Sequence, residues 1–419
     1  MTEEAPRIVT FGCRLNAYES EVMRGHAEAA GLHGAVIVNT CAVTAEAERQ
    51  ARQTIRRLRR DHPGARLIVT GCAAQNDADG FAAMPEVDRV LGNADKMRRE
   101  SWRADGDSVS DAAEAPRAAL DAPGVTGLAG RHRAFLQVQQ GCDHACTFCI
   151  VPATRGPAES LAPETVVERA RALVENGTPE VVLSGVDVAS WGADLPGRPG
   201  IAHLARRLLR DLPALRRLRL SSLDPTAVDD ALADLFAEEA RLLPHVHLSA
   251  QAGDDMVLKR MGRRHRRDDV LAAARRLREA RPGMTVGADL IAGFPTETED
   301  QAANTRTLVE EAGLAPLHVF PYSGRPGTAA ERMPQVPGDV RRDRAARLRE
   351  AGARELRRSM AGRVGGTTRV LAEADGTGRA DDYLPVRFVG ARPEPGTVAW
   401  AALVDHDDDA LMGEVLTHE

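Results

Sequence analysis

The densest chemistry in the sequence lies in nine residues, Gly141-Cys142-Asp143-His144-Ala145-Cys146-Thr147-Phe148-Cys149. Three thiols at C-x3-C-x2-C spacing, with an aromatic residue just before the third, let one short loop wrap a face of a cube-shaped iron–sulfur cluster. The loop supplies three thiolates where a fully protein-ligated cluster takes four, so one iron stays open to bind and reduce a small molecule. The alternative is a zinc site with His144 or a distant residue as fourth ligand, although zinc loops usually come as C-x2-C pairs.

The other three cysteines each end an apolar run: Ile8-Val9-Thr10-Phe11-Gly12-Cys13, Val36-Ile37-Val38-Asn39-Thr40-Cys41 and Leu67-Ile68-Val69-Thr70-Gly71-Cys72. Each run reads as a buried parallel strand, and helical patterns follow at about 17–30 and 45–60. A lone cysteine at a strand end is more often a small buried apolar residue than a ligand. In an open parallel sheet, however, ligands bind beyond the carboxyl ends of the strands. Cys13, Cys41 and Cys72 hold one topological position and use every cysteine outside the central loop, so they point to a second three-thiolate cluster.

At 419 residues the chain has room for two or three domains with separate cores, and its hydrophobic content is that of an ordinary soluble globular protein. Met1-Thr-Glu-Glu-Ala-Pro-Arg contains neither a basic nor an apolar leader region, so no signal peptide is expected. No apolar run approaches the ~20 residues of a membrane span. Half of the six cysteines share one loop, which is not a secreted disulfide framework. Thiolate ligation and an oxygen-labile cluster instead point to a reducing cytoplasm. The net charge of −6 argues against a uniformly basic RNA-binding surface. That charge is concentrated in Ala361–Glu419, with 5 Lys+Arg against 11 Asp+Glu; the rest of the chain is balanced and can carry local basic patches.

The elements that must position the central loop follow it. Strand patterns lie at Phe135–Gln139, Val181–Gly185, Leu218–Ser222, His245–Ala250, Gly287–Ala292 and Leu317–Phe320. Helical patterns fill the intervals at Glu164–Asn176, Ile201–Asp211, Thr226–Glu238, Asp268–Arg281 and Glu299–Gly313. Six strands joined by helical crossovers imply a parallel sheet and an α/β class. Before them, residues 101–132 are rich in Ala, Gly and Asp without periodicity and read as a linker. After a charged helix at Arg341–Arg358, short strands at Thr367–Ala374, Tyr383–Val389, Thr397–Val404 and Leu411–Leu416 suggest a small closed barrel. The division expected is therefore 5–105 for the first domain, 106–130 for the linker, 131–358 for the central domain and 359–419 for the β-barrel.

The motif C-x3-C-x-aromatic-C resembles the signature of the radical S-adenosylmethionine (SAM) superfamily. Thr10-Phe-Gly-Cys-Arg-Leu-Asn16 with Tyr18-Glu19-Ser20, Asn39-Thr-Cys-Ala-Val-Thr44 and Gly71-Cys72 resemble the N-terminal domain of its methylthiotransferases. His318-Val-Phe-Pro-Tyr-Ser-Gly-Arg-Pro-Gly-Thr328 is similar to that family's last-strand motif, and the terminal barrel resembles by position the RNA-binding TRAM domain. The resemblance implies an N-terminal open parallel α/β sheet domain, a partial (β/α)6 barrel and a TRAM-like barrel. It also implies two 4Fe-4S clusters, on Cys13, Cys41 and Cys72 and on Cys142, Cys146 and Cys149, the latter catalytic. SAM acts as both methyl donor and radical source: one SAM methylates sulfur at the auxiliary cluster, and a second yields the 5′-deoxyadenosyl radical that abstracts hydrogen from an adenine. The implied partners are a tRNA anticodon stem-loop and a low-potential one-electron donor of flavodoxin or ferredoxin type, with no membrane. Asn16-Ala-Tyr18-Glu19 looks most like the branch acting on N6-threonylcarbamoyladenosine at position 37. The isopentenyladenosine and ribosomal-protein branches, and a non-catalytic RNA-binding metalloprotein, are the alternatives.

Carried over by position, Ser184, Gly185, Asp187, Ser221, Gln251, Ile291 and Gly293 are the expected SAM contacts, and Phe148 packs on the cluster or adenine. Ordinary turn chemistry is the competing reading of each. Arg155 is expected to meet the SAM carboxylate, a phosphate or solvent. Val257–Arg281 has ten Lys/Arg against three Asp/Glu, so Arg263, Arg264 and Arg266 are candidate phosphate contacts. Tyr322 is a candidate base-stacking ring and Arg325 a phosphate or substrate contact. The arginine-rich helix Glu48–Arg60 is either a solvated face or a phosphate patch.

Overall fold

The computed structural model describes residues 5–418. Strands β1 (Arg7–Thr10), β2 (Val36–Thr40), β3 (Leu67–Gly71) and β4 (Arg89–Leu91) form a parallel sheet in that order. The first two crossovers are α1 (Arg14–Ala29) and α2 (Ala45–Asp61); the third is the pair α3 (Cys72–Asn76) and α4 (Ala78–Ala82). β2 and β3 are buried at every residue because both faces of the sheet are covered. Val36, Val38, Leu67 and Val69 pack with Ile55, Leu58 and Phe81, whereas Ile37 and Ile68 pack with Met23 and Trp102.

The expected linker 106–130 is instead a packed part of the molecule. Ser108 bridges alongside Leu91 as a fifth edge of the first sheet. Ser108 and Ser110 both donate to Asp95 Oδ1, at 2.7 and 2.8 Å. Helix α5 (Ala115–Asp121) then buries Ala115, Ala118, Ala119 and Leu120. Small alanines allow close packing but give little amphipathic contrast, which is why the sequence shows no period there.

The central domain continues through β5 (Arg133–Gln137), β6 (Gln139–Gln140), α6 (Val151–Arg155), β7 (Glu159–Ser160), α7 (Pro163–Glu175), β8 (Glu180–Ser184) and α8 (Ile201–Asp211). It then runs through β9 (Leu218–Leu220), β10 (Ser222–Leu223), α9 (Asp230–Glu238), β11 (His245–Gln251), α10 (Asp255–Met261) and α11 (Arg267–Ala280). It closes with β12 (Thr285–Ala292), α12 (Glu299–Ala312), β13 (Leu317–Pro321) and α13 (Gly338–Ala361). β9 and β10 are one strand position interrupted at Ser221: the first half pairs with β8 and the second with β11. β5, β8, β9/β10, β11, β12 and β13 thus make six parallel positions, the partial (β/α)6 barrel. α1 of the first domain packs on β5, with the Tyr18 ring wholly inside the central core.

The terminal barrel is closed in the order β14 (Thr367–Ala372), β15 (Thr377–Ala380), β16 (Pro385–Val389), β18 (Leu411–His418) and β17 (Val398–His406). Thr-Gly-Arg-Ala of β15 has no apolar run and is the strand the sequence did not reveal. Its following loop caps the amino ends of the central strands. Arg219 donates to the carbonyls of Ala380 and Asp381 at 2.9 and 2.8 Å, and Tyr383 stacks on His245 with ring centroids 4.6 Å apart. The opposite end of the central barrel, where the strands finish, carries the cysteine loop.

Candidate active site at the mouth of the central barrel

The loop Gly141–Cys149 has no regular structure of its own and is held by its neighbours. Cys142 N–H donates to the Gly156 carbonyl at 3.1 Å, and Asp143 accepts from Ala158 N–H at 2.9 Å. The Thr147 N–H and hydroxyl donate to Met261 and Arg260 carbonyls at 2.9 and 2.8 Å, and its carbonyl accepts from Ala330 at 2.9 Å. Burial pushes the Cys142 thiol up to about 12 and the Cys149 thiol up to about 11. A metal that replaces those protons relieves that penalty.

In the first domain, Cys13, Cys41 and Cys72 stand at the carboxyl ends of β1, β2 and β3, as the sequence predicts. The motif residues around them are structural. Asn16 Nδ2 donates to the carbonyls of Phe11 and Thr40 at 2.7 and 3.0 Å, and Asn39 Nδ2 donates to Asn16 O at 3.0 Å. Gly12 and Gly71 hold positive φ of 94° and 99°. A Cβ on Gly12 would lie 2.7 Å from Cys41 Sγ, and one on Gly71 would lie 2.3 Å from Thr40 O. Only glycine lets these loops come so close. The two cysteine groups are neighbours: α6, which follows Cys149, packs on α3, which begins at Cys72, and Arg155 Nε lies 3.1 Å from Cys72 Sγ. All six cysteines are free.

Around this mouth, Phe148 meets Phe294 edge-on at 6.3 Å, and Phe294 meets Tyr322 at 5.4 Å; Ile291 completes that apolar group. Asp187 lies beside the loop, 2.8 Å from His144 Nε2 and 2.5 Å from the Ser190 hydroxyl. Gly185 lies against Gln139, and Gln251 ends β11 with φ of 63°. Ser221 sits at the break between β9 and β10, and Gly293 N–H donates to Glu297 at 2.9 Å. Ser184 departs from the set: its hydroxyl turns back to the Val182 carbonyl at 3.3 Å and is buried within the strand.

The Radical SAM superfamily matches residues 136–309, and the Uncharacterized protein family UPF0004 matches residues 6–92. A threonylcarbamoyladenosine tRNA methylthiotransferase of Rickettsia prowazekii is 46% identical over 383 residues, 91% of this chain and 90% of the relative. The chain belongs to the radical SAM methylthiotransferases. A second relative, a tRNA-2-methylthio-N(6)-dimethylallyladenosine synthase of Novosphingobium aromaticivorans, is 36% identical and covers 99% of this chain and 94% of its own. In fold, the chain is similar to a radical SAM methyltransferase of Kitasatospora setae, with a TM-score of 0.53, 15% identity and coverage of 78% of this chain and 75% of that one.

The residues fit what a radical SAM methylthiotransferase must hold. Among the described residues, neither cysteine triad gathers three sulfurs within 4.8 Å of one another, as ligands of a single ion would. Three free thiols in the one loop Gly141–Cys149 suit three irons of one cluster. The one such grouping at the loop is Cys142, His144 and Asp187, in which His144 is engaged by Asp187 and by Arg264 Nη2 at 2.7 Å.

For nucleic acid, the structure redistributes the candidates. Arg263 is largely buried: it donates to Asp224 at 2.7 Å and to the Ser249 carbonyl at 2.9 Å, and it approaches Cys146 Sγ at 3.7 Å. Tyr322 is buried in the aromatic group, not presented to a base. Arg325 is buried on the Ala42 carbonyl of the first domain. Arg264 and Arg266 remain exposed. Much of the basic run 257–281 caps main-chain carbonyls: Arg267, Arg276, Arg278 and Arg281 each donate to one at 2.7 Å. On α2, Arg52 and Arg59 are held by Asp77 and Asp88 at 2.5 Å, whereas Arg56, Arg57 and Arg60 are exposed.

The residue that sequence reasoning misplaced most is Arg155. It is neither at the surface nor at a SAM position. It is buried between the domains, with Nε 3.1 Å from Cys72 Sγ, Nη1 2.7 Å from Glu19 Oε1 and Nη2 2.6 Å from Asn16 Oδ1. Glu19 also binds the wholly buried Lys96 at 2.7 Å. Nothing in the sequence signals that glutamate–lysine pair, because its members are 77 residues apart.

Proposed function

We propose that this methylthiotransferase converts N6-threonylcarbamoyladenosine at position 37 of tRNA, 3′ of the anticodon, to its 2-methylthio derivative, using two 4Fe-4S clusters. The observation that carries the reading is that α6, directly after the Cys142–Cys149 loop, packs on α3, which begins at Cys72, so that two three-cysteine groups from different domains are neighbours. An aromatic C2–H offers neither an acidic proton nor a leaving group, so a radical route is the sensible one. When bound, the clusters and SAM supply the electron, the radical, the methyl group and the sulfur. Cys142, Cys146 and Cys149 would hold one cluster and Cys13, Cys41 and Cys72 the other. Phe148, Phe294, Ile291 and Tyr322 give the apolar wall that excludes water, and Asp187, Ser221, Gln251 and Gly293 offer polar groups to SAM. The threonylcarbamoyl branch is favoured by Asn16-Ala-Tyr18-Glu19 and by the name carried by the 46% identical relative. The electron donor is a low-potential flavodoxin- or ferredoxin-type protein, and the setting is the cytoplasm.

Nucleoside mass spectrometry of tRNA from a strain lacking the protein tests this. The expected result is loss of methylthio-threonylcarbamoyladenosine with accumulation of its precursor, rescued by the wild type and not by Cys146→Ala. Loss of the methylthio group from the isopentenyl derivative alone would move the protein to the other tRNA branch. No change in either nucleoside would remove tRNA adenosine as substrate.

A further inference from the structure

Both cysteine groups have one guanidinium against one sulfur, but the two contacts are built differently. Arg263 reaches Cys146 at 3.7 Å from within its own domain. Arg155 reaches Cys72 at 3.1 Å from the other domain, at the end of the helix that follows the Cys142–Cys149 loop. Every donor group of Arg155 is occupied by a polar atom: Cys72 on Nε, Glu19 and Gln140 on Nη1, and Asn16 and Glu19 on Nη2. Asn93 adds a second, longer N–H contact to the same sulfur at 3.8 Å and ties the turn to the Thr154 carbonyl at 2.7 Å. Burial alone would favour discharging the guanidinium; the Cys72 sulfur and Glu19 outweigh it and hold the charge in place.

A positive charge and an N–H bond at a cluster sulfur both stabilise the more negative, reduced form. We propose that Arg155 is the positioning residue that sets the reduction potential of the auxiliary cluster on Cys13, Cys41 and Cys72, raising it relative to a site without the guanidinium. The proposal rests on the reading that these cysteines hold a cluster. The couple is the one-electron reduction of [4Fe–4S]2+ to [4Fe–4S]+, with dithionite as the electron source in the test. A second consequence follows from Glu19, which places a negative charge on the same network: removing each group must move the potential in opposite directions.

The experiment is an anaerobic redox titration, followed by electron paramagnetic resonance, of full-length protein in which Cys142, Cys146 and Cys149 are replaced by Ala. Only the auxiliary cluster is then present. Arg155→Met is expected to shift the midpoint to more negative potential, Arg155→Lys to shift it less, and Glu19→Gln to shift it to more positive potential. In the reciprocal background, lacking Cys13, Cys41 and Cys72, each of the three is expected to move the remaining cluster less than it moves the auxiliary one. If Arg155→Met fails to fold or load iron, the sign of the Glu19→Gln shift decides. A midpoint unmoved by Glu19→Gln, or displaced in the same direction by Arg155→Met and Glu19→Gln, overturns the role of Arg155. Absence of iron from the starting background would instead overturn the two-cluster reading, and the proposal with it.

Discussion

Arg325 donates from Nε to the main-chain carbonyl of Ala42 at 2.6 Å, and Ala42 directly follows Cys41. With the Ser323 hydroxyl accepting from Ala45 N–H at 3.0 Å, the last strand's loop grips the Cys41 turn of another domain. Arg325→Ala is expected to lower stability by about 2–3 kcal/mol, since it removes charged hydrogen bonds and leaves a carbonyl bare. Iron per chain in protein lacking Cys142, Cys146 and Cys149 should fall to half or less of the parent value, while iron in the reciprocal background stays. Equal loss at both sites would mean that Arg325 serves the fold as a whole.

The exposed arginines separate from the buried one in their salt response. Arg56→Ala, Arg57→Ala and Arg266→Ala should each weaken tRNA binding. Removing one cation from a phosphate should reduce the slope of log affinity against log salt by about one. Arg263→Ala should leave that slope alone and alter the spectrum of the cluster beside Cys146. Fluorescence titrations at several salt concentrations distinguish these outcomes, and an unchanged slope in all three exposed variants removes these positions from the RNA surface.

Glu180 lies wholly buried between Arg217 and Arg219, at 3.0 and 2.8 Å. Burial alone would raise its carboxyl, but the arginines dominate and hold it at about 2 against an ordinary 4.5. A carboxyl depressed in the folded state contributes stability that is complete above the unfolded pKa and lost as pH falls through the folded one. The contribution, about 3 kcal/mol, should therefore be present above pH 4.5 and disappear towards pH 2. Glu180→Gln should cost about 3 kcal/mol at neutral pH, because two buried cations lose a shared carboxylate, although Arg217 keeps Asp381 and Arg219 keeps two carbonyls. Urea unfolding of the iron-free protein should show this gap narrowing on acidification; a gap independent of pH would deny Glu180 its charge.

Tyr383 stacks on His245 with Arg219, Arg379 and Arg133 about its ring at 5.0, 5.2 and 5.5 Å. Tyr383→Ala should cost about 3 kcal/mol and expose the connection after α13 to protease. Tyr383→Phe, which keeps the ring, should cost less than about 1 kcal/mol. Limited proteolysis in which Tyr383→Ala behaves as the parent would show that the terminal barrel is docked by its ion pairs alone.

Strand runs dominated by apolar residues made the first three strands of the first sheet, each with a cysteine just beyond its end, readable from the sequence; β4, only three residues long and opening on a buried arginine, was not. The six central strands were readable for the same reason. The segment 106–130 was not, because alanine packs without an amphipathic signature. Arg155, Arg263 and Arg325 were assigned to SAM, phosphate or substrate because a guanidinium in sequence carries no mark of what will bury it. Their partners are 83, 39 and 283 residues away, and only the assembled domains bring them together. The basic run 257–281 misled in the same way: its arginines close carbonyls at the ends of neighbouring helices and strands.

The two interdomain guanidiniums also impose a timetable on synthesis. The three auxiliary thiols leave the ribosome first, Arg155 follows Cys72 by 83 residues, and Arg325 follows Ala42 by 283. At roughly 5–20 residues per second, the second interval lasts on the order of 15–60 seconds. Until those residues are made, Cys72 lacks its guanidinium and the Cys41 turn lacks the side chain that ties it to the loop after β13. The surroundings of Cys41 and Cys72 are therefore completed only when the central domain has been made, so the two cysteine-bearing domains mature as one unit.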